Sequence, residues 1–483
     1  MNLKRKKTDP LKSALISVLD DNRVTDGASA RSLYSKDASV MEGGRAGLVC
    51  FPETTEEVSA CVEIAKNFDK SFLARGAGTG LAGGAVPCDE PIIIVTTRMN
   101  KILEVNLREK FAWVQPGLVN LDLSHSLVGT GLHFAPDPSS QQACTIGGNV
   151  ANNSGGPHCL AYGVTSSHVL AVEVVLPDAS VATFGEIRGD AAGYDFRGAF
   201  VGGEGTLGIA TKIAVRLTTD PPTVATLLLD FLDVTAAAET VSEVIASGVL
   251  PAALELMDRN VIAAVEPFVE AGYPLDAEAV LIAEVDGLPD GVEREVQLIT
   301  EIAKMKGARG VRRAVNDEER ERIWKGRKSA FGAIAKIKPD YYLHDTVIPR
   351  SRLAEVIEEV YSIASKYDLL VMNVFHAGDG NLHPLLVFDA REPGTMEKVQ
   401  IAGEEIVNAS LNAGGVLSGE HGIGLEKKRF MSKQFSERDL EAQDALRKSF
   451  DPESRSNPHK ILPTGSSCGE INSLEVIPEG LWI

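Results

Sequence analysis

Two histidines flank a turn signal in Phe375-His-Ala-Gly-Asp-Gly-Asn-Leu-His383. Asp-Gly is a preferred two-residue hairpin tip, and strand-like residues run on both sides, over 369–375 and 385–388. With Asp379-Gly380 at the tip, His376 and His383 stand directly opposite each other. Cross-strand partners have Cβ atoms roughly 4.5–5.5 Å apart, close enough to share one metal ion. A second cluster lies in Gly414-Gly-Val-Leu-Ser-Gly-Glu-His-Gly-Ile-Gly424, where Glu420 and His421 are neighbours among five glycines. Adjacent side chains diverge, so one can reach a metal while the other faces elsewhere. The bland alternative is a surface loop with an incidental Glu-His pair. Imidazole and carboxylate ligands accept zinc, manganese and iron alike, which leaves the metal open.

Glycine crowds into 76–84, 147–163 and 202–208. Gly78-x-Gly80-x-x-Gly83 matches the dinucleotide fingerprint and follows an expected strand, 71–75. That fingerprint needs a helix opening inside the glycines and an acid about 20 residues on. Leu81-Ala-Gly-Gly-Ala-Val-Pro87 leaves no room for a helix before the expected strand 92–95, so the Rossmann reading fails. The run Arg75-Gly-Ala-Gly-Thr-Gly-Leu81 can still turn successive N–H groups inward as a pyrophosphate nest; tight turns between strands are the alternative. Pro136-Asp-Pro-Ser-Ser140, Thr145-Ile-Gly-Gly-Asn149 and Asn152-Asn-Ser-Gly-Gly156 add small residues, hydroxyls and amides with almost no charge. Such a composition suits hydrogen bonding to a large polar, aromatic ligand, and Gly202-Gly-Glu-Gly-Thr-Leu-Gly208 supplies a third segment of the kind.

The chain has 483 residues with 48 Lys+Arg against 67 Asp+Glu, a net charge of −19. An acidic balance argues against nucleic acid or an anionic membrane surface as main partner, and the basic run Lys4 to Lys7 reads as a solvated terminus. No stretch reaches the roughly 18–20 apolar residues needed to span a bilayer, and no apolar segment follows the charged start as a secretory signal requires. The expected location is cytoplasmic. Six dispersed cysteines without a C-x-x-C pair fit reduced thiols and exclude an iron–sulfur cluster held by this chain alone.

The three glycine loops, in this order, resemble the FAD-binding domain of the vanillyl-alcohol oxidase and p-cresol methylhydroxylase superfamily. His-Ala-Gly-Asp-Gly-Asn-Leu-His (376–383) and Ser-Gly-Glu-His-Gly-Ile-Gly (418–424) resemble the two motifs of its FAD-linked D-2-hydroxyacid dehydrogenase branch. Trp324-Lys-Gly-Arg-Lys328, Pro339-Asp-Tyr-Tyr342 and Thr346-Val-Ile-Pro-Arg350 are most similar to the FAD-bearing catalytic subunits of bacterial glycolate oxidases. The likeness runs from Tyr34-Ser-Lys-Asp37 to Asn457-Pro-His-Lys-Ile461. It implies that Arg75, Gly76, Ala77, Gly78, Thr79, Gly80 and Leu81 hold the FAD pyrophosphate. Pro136, Asp137, Thr145, Gly148, Asn149, Asn152, Ser154, Gly208, Ile209 and Asn457 would be further FAD contacts. Relatives that attach flavin covalently do so through a histidine in the first loop; 75–84 has none, so noncovalent FAD is expected.

The same resemblance makes His376, His383 and Glu420 the ligands of a divalent metal and His421 the base beside the flavin. Arg327 is the expected carboxylate anchor, since guanidinium pairs bidentately and keeps its charge; a solvated charged face over 318–328 is the alternative. The implied activity is metal-assisted oxidation of a small D-2-hydroxyacid, glycolate or D-lactate, with hydride passing to the flavin. His344, where longer D-2-hydroxyglutarate enzymes have a lysine, and Pro384-Leu385 after the second histidine favour a small substituent. Alternatives are a D-2-hydroxyglutarate-type enzyme, a flavin-dependent ether-lipid synthase, or a noncatalytic flavin-binding subunit. Electrons would leave to iron–sulfur and flavoprotein-like partner subunits, which would also place the protein peripherally at the inner membrane, or to a quinone or cytochrome.

These groups need a scaffold. The expected fold is α+β: a two-part FAD-binding domain of the vanillyl-alcohol oxidase type, a ferredoxin-like substrate domain and a short C-terminal helical segment. A β-α-β start is expected from 48–51, a helix opened by Thr54/Thr55, and 71–75. Asp220-Pro221-Pro222 is the natural seam, because consecutive prolines remove donors and fix φ. Boundaries follow as an N-terminal helical segment 1–41, the FAD-binding domain 42–220, the substrate domain with the metal site 221–425, and a helical tail 426–483 returning to the FAD domain. Within 221–425 the pattern predicts strands at 224–231, 279–285, 311–315 and 341–347, helices at 235–247, 292–306 and 353–366, a long helix through Trp324 to about 337, and a hairpin over 369–388.

Overall fold

The computed structural model describes residues 9–41, 43–188 and 192–463; Lys4 to Lys7 and Cys468 lie outside them. Two units emerge. One comprises Met1–Ser154, Val164–Thr219 and His421–Ile483, the other Gly155–Gly163 and Asp220–Glu420. The glycine-rich stretch 147–163 is therefore divided, and its last nine residues belong with the second unit. Among the described residues no helix is long and apolar enough to cross a membrane.

In the first unit, Val49–Cys50 and Phe72–Arg75 lie on either side of Ile92–Val95, all parallel. Ile92-Ile-Ile-Val95 is buried at every position, as a central parallel strand covered on both faces must be. The helix Thr55–Asn67 connects the outer two, opened by Thr54, whose hydroxyl accepts from Glu57 N at 3.3 Å. A five-stranded antiparallel sheet follows in the order Ile102–Asn106, Phe111–Val114, Ile209–Arg216, Val169–Val175, Val181–Gly185. Ile146 and Val150, one turn apart on the helix Ile146–Asn152, drop into its core beside Val114, Val172 and Ile213. The chain's end returns here: Phe72 N donates to Arg455 O and Asn457 N to Phe72 O.

The second unit begins with two β-α-β crossings around an antiparallel sheet. Gly310–Arg313, Thr223–Phe231, Ala279–Gly287 and Ala253–Asp258 stand in that order. Numbered along the chain this is 4-1-3-2, the ferredoxin-like arrangement. Leu370–His376 extends the sheet beyond Ala253–Asp258. Three sequence expectations are corrected. Residues 248–278, which the hydrophobic pattern left without an element, form the strand Ala253–Asp258 and the helix Arg259–Val269. Glu255 and Asp258 interrupt the apolar run there, although every residue of the strand is buried. The long helix breaks at Ser329, whose N–H is shared between the carbonyls of Lys325 and Gly326, giving Asp317–Lys328 and Ala330–Ile334. The strand expected over 341–347 is two, Asp340–Leu343 and Thr346–Val347, parted at His344-Asp345.

One buried acid ties this unit together. Glu284, on the strand Ala279–Gly287, accepts from Thr226 Oγ1 (2.5 Å), Trp324 Nε1 (2.7 Å), and Arg320 Nε and Nη2 (2.9 and 2.7 Å), and His158 Nε2 lies 3.3 Å away. Burial pushes its pKa up, but His158 and Arg320 overcome that and hold the carboxyl well below the usual range. It links a strand, the Trp324 helix and the inserted Gly155–Gly163 segment. Removing one partner of a buried ion pair costs about 3–5 kcal/mol. Glu284→Ala is expected to lower the unfolding free energy by that amount in urea titration; a loss under about 1 kcal/mol would show that the network contributes little.

Candidate metal centre and cofactor cradle

The two-histidine hairpin forms with a register different from the expected one. Leu370–His376 pairs with Pro384–Phe388 as Asn373↔Pro384 and Met372↔Leu385, and His376 stands opposite Asn381. Ala377–Asp379 forms a short 3₁₀ turn and Gly380 takes φ +77°, so the turn is wider than a two-residue Asp-Gly tip. Relative to the expected pairing, the far strand has slipped by two residues. Side chains alternate with period two, so a two-residue slip keeps the face. His376 and His383 become diagonal neighbours with ring centroids 5.1 Å apart.

Glu420 joins them. Its Oε1 lies 3.3 Å from His376 Nε2 and 3.5 Å from His383 Nε2, and the three ligand atoms all fall within 4.8 Å of one another. Asp345, fully buried at the break between the two short strands, positions this acid. Asp345 accepts from Ser418 Oγ at 2.6 Å, Gly419 N at 3.1 Å and Glu420 N at 3.4 Å. Val416 pairs with Val347 through N–H···O bonds in both directions. The chain passes so close that a Cβ at Gly419 would lie 2.5 Å from Asn381 Nδ2. Sequence spacing alone gave no sign of Asp345.

A second acid, likewise unforeseen, lies behind the histidines. Glu255 is 0% exposed and is the cross-strand partner of His376. Its Oε1 lies 2.7 Å from His376 Nδ1, and its Oε2 accepts from Arg327 Nε at 2.7 Å. Arg327 is 1% exposed, which removes the solvated-face alternative for this residue. Its Nη2 is buried without a hydrogen-bond partner among the described residues. Burial disfavours the imidazolium of His376, yet Glu255 and Glu420 together push its pKa well above the ordinary value. Burial also raises Asp379 to about 6. The cluster is thus short of positive charge, and two imidazoles with a carboxylate form a donor set that fits a divalent cation. His344, by contrast, is packed in the interior, its ring 4.2 Å from that of Tyr342, with Gly403 of the helix Thr395–Asn412 against it. Leu385 is a core residue of the sheet.

In the first unit the glycine loops meet one another. Arg75 is 6% exposed, donates through Nη1 to Ala85 O at 3.2 Å, lies over the Tyr34 ring, and keeps a buried Nε without a partner among the described residues. Gly78 has φ +74°, and a Cβ there would strike the Arg75 guanidinium. Thr145 Oγ1 accepts from Gly148 N at 3.2 Å. Asn457 Nδ2 bridges the first and third loops by donating to Gly84 O and Glu204 O, while its Oδ1 is buried and without a partner among the described residues. These orphaned groups and tight loops fit a cradle for a polar cofactor. Two expected contacts are used internally: Asn149 Oδ1 accepts from Asn120 Nδ2 at 3.0 Å, and the Ile209 side chain packs in the core.

His421 belongs to this unit. Asn152 Nδ2 donates to its carbonyl at 2.7 Å, and the turn after it is clamped by Glu204, which accepts from Ile423 N at 2.6 Å and Gly424 N at 2.8 Å. His459, before Lys460, adopts φ +67°, and its Nε2 lies 2.6 Å from Asp89 Oδ2.

Comparison with known proteins bears on both units. Residues 46–185 match the FAD binding domain pattern, and 220–461 match that of FAD linked oxidases, C-terminal domain. A protein called glycolate oxidase subunit GlcD from Escherichia coli (strain K12) is 43% identical over 89% of this chain and 86% of its own length. One of the same name from Bacillus subtilis (strain 168) is 38% identical over 94% and 97%. A solved p-cresol methylhydroxylase shares the fold, with TM-score 0.78 at 15% identity over 93% of this chain and 95% of that one.

Glu204 supplies a pH test. Burial raises its pKa from 4.5 to about 7, despite the two N–H bonds and the nearby Lys460 and Lys427. Between those values the folded chain holds a proton that the unfolded chain releases, so stability falls as pH rises through the window, by about 3 kcal/mol in all. Urea midpoints measured from pH 4.5 to 7 are expected to fall more steeply in the wild type than in Glu204→Gln. Parallel profiles would show that Glu204 ionises normally.

Proposed function

Because the chain belongs to the FAD-linked oxidase family, we propose that it oxidises a small D-2-hydroxyacid, glycolate or D-lactate, to the 2-oxoacid. The observation that carries this reading is the convergence of His376, His383 and Glu420 in one buried cluster, with Arg327 tied to its back by Glu255. Noncovalent FAD, held by the loops from Arg75, Thr145 and Gly202, supplies the two-electron acceptor, and a divalent cation supplies charge that favours the ionised hydroxyl.

The chain's own residues do the rest. Arg327, with an open buried Nη2, pairs with the substrate carboxylate and fixes which substituent faces the hydride acceptor. His376, His383 and Glu420 hold the cation. His421, next in the chain after Glu420 and held by Asn152 and Glu204, receives the hydroxyl proton on its imidazole, whose ordinary pKa lies near neutrality. His344, packed in the interior, supplies no flexible ammonium for a distal carboxylate, which favours the smaller acids over D-2-hydroxyglutarate. Electrons then pass to partner subunits carrying iron–sulfur and flavin-type centres, or to a quinone or cytochrome.

Anaerobic addition of glycolate, D-lactate, L-lactate or D-2-hydroxyglutarate to the FAD-loaded protein tests the reading. Glycolate or D-lactate is expected to bleach the flavin absorbance, chelation to stop it and a divalent metal to restore it. Bleaching that is indifferent to metal would remove the cation from the mechanism, and no bleaching at all would point to a noncatalytic flavin-binding role. His383→Ala is expected to lose metal and turnover together, at least 100-fold in kcat/KM, while FAD stays bound. Wild-type turnover in a metal-free His383→Ala protein would refute the ligand assignment.

A further inference from the structure

We propose that Glu255 is a positioning residue that serves the carboxylate anchor and the metal cluster at once; this rests on the functional reading above. A carboxylate with both oxygens committed to different partners fixes the orientation of each. Oε1 takes the Nδ1 side of His376, so the imidazole keeps its proton on Nδ1 when Nε2, 3.3 Å from Glu420 Oε1, serves as a cation ligand. Oε2 takes Arg327 Nε, which locks the guanidinium plane and leaves the buried Nη2 as the edge available to an anion. Because Glu255 is the direct cross-strand partner of His376 on a strand buried along its whole length, neither contact depends on a flexible loop. The site therefore reads substrate carboxylate and metal ligand off one rigid group.

Glutamine in place of Glu255 keeps the shape but offers one acceptor for two donors. It cannot satisfy His376 Nδ1–H and Arg327 Nε–H together, because its amide nitrogen must face one of them. Two measurements on the FAD-loaded protein read the two duties separately: manganese affinity by chelator competition, and pyruvate affinity from the perturbed flavin spectrum. Glu255→Gln is expected to weaken manganese about 10–100-fold, the usual effect of losing a group that orients a metal-binding histidine, or to weaken pyruvate about tenfold or more, according to which donor the glutamine abandons. The double variant E255Q/R327M removes the competing donor, so glutamine can serve His376 alone. Manganese affinity is expected to return to within about threefold of wild type while pyruvate binding stays lost.

Wild-type affinity for both probes in Glu255→Gln would overturn the inference. So would a double variant that binds manganese no better than His383→Ala. If Glu255→Gln fails to retain FAD, the double variant, which leaves no buried guanidinium unpaired, decides the matter on the same two readings. A wild-type chain that binds no manganese overturns the functional reading itself, and that outcome is recognised without any variant.

Discussion

Burying a carboxylate with no exposure is costly unless its surroundings supply donors, and Glu255 has a guanidinium on one side and an imidazole on the other. Much of the second unit's site follows from it. The strand bearing Glu255 must lie next to Leu370–His376 for the imidazole to reach, and the Trp324 helix must turn Arg327 inward with Ile323, Trp324 and Gly326 while Lys325 and Lys328 stay exposed. In the idealised low-dielectric interior an isolated ion costs many kcal/mol. Each of the three side chains is therefore held in place by the need to neutralise another.

The loops around the cluster obey a steric constraint of the same severity. Asp345 gathers the backbone at 418–420, and this brings Gly419 so near Asn381 that a side chain would not fit. The glycines among 414–424, which in sequence look like a licence for mobility, are here the condition for close packing. Gly380 does the complementary job at the hairpin, where φ +77° allows the wider turn that sets the register.

What could be read in the sequence follows from which signals are local. The Thr54 cap, the run Ile92-Ile-Ile-Val95, the double proline at 221–222 and the paired histidine motif are local patterns, and each marks a feature seen in the structure. The fold class was legible because glycine loops and βα alternation occupy contiguous segments. The hairpin register was not, since turn width depends on Ala377–Asp379 adopting a 3₁₀ turn rather than on the Asp-Gly pair alone. Glu255 and His376 are 121 positions apart, and no pattern within one segment could couple them. The available hint was chemical: charged residues at 255 and 258 in a run otherwise fit for a buried strand.

That hint also separates structural acids from those serving a site. Three buried carboxylates lie on the second unit's central strands. Asp258 accepts from Val261 N, Asn373 N and Nδ2, and Tyr361 OH, and so caps a helix and pins a neighbouring strand. Glu284 is surrounded by Thr226, Trp324, Arg320 and His158. Glu255 is no less satisfied than these, but its partners differ. Arg327 retains a buried Nη2 with no acceptor among the described residues, and His376 turns its other nitrogen toward Glu420. A fold gains nothing by burying donors and acceptors that its own groups leave open. The open guanidinium edge has a physical reason if an anion completes it, and the two imidazoles with Glu420 offer a cation its donors.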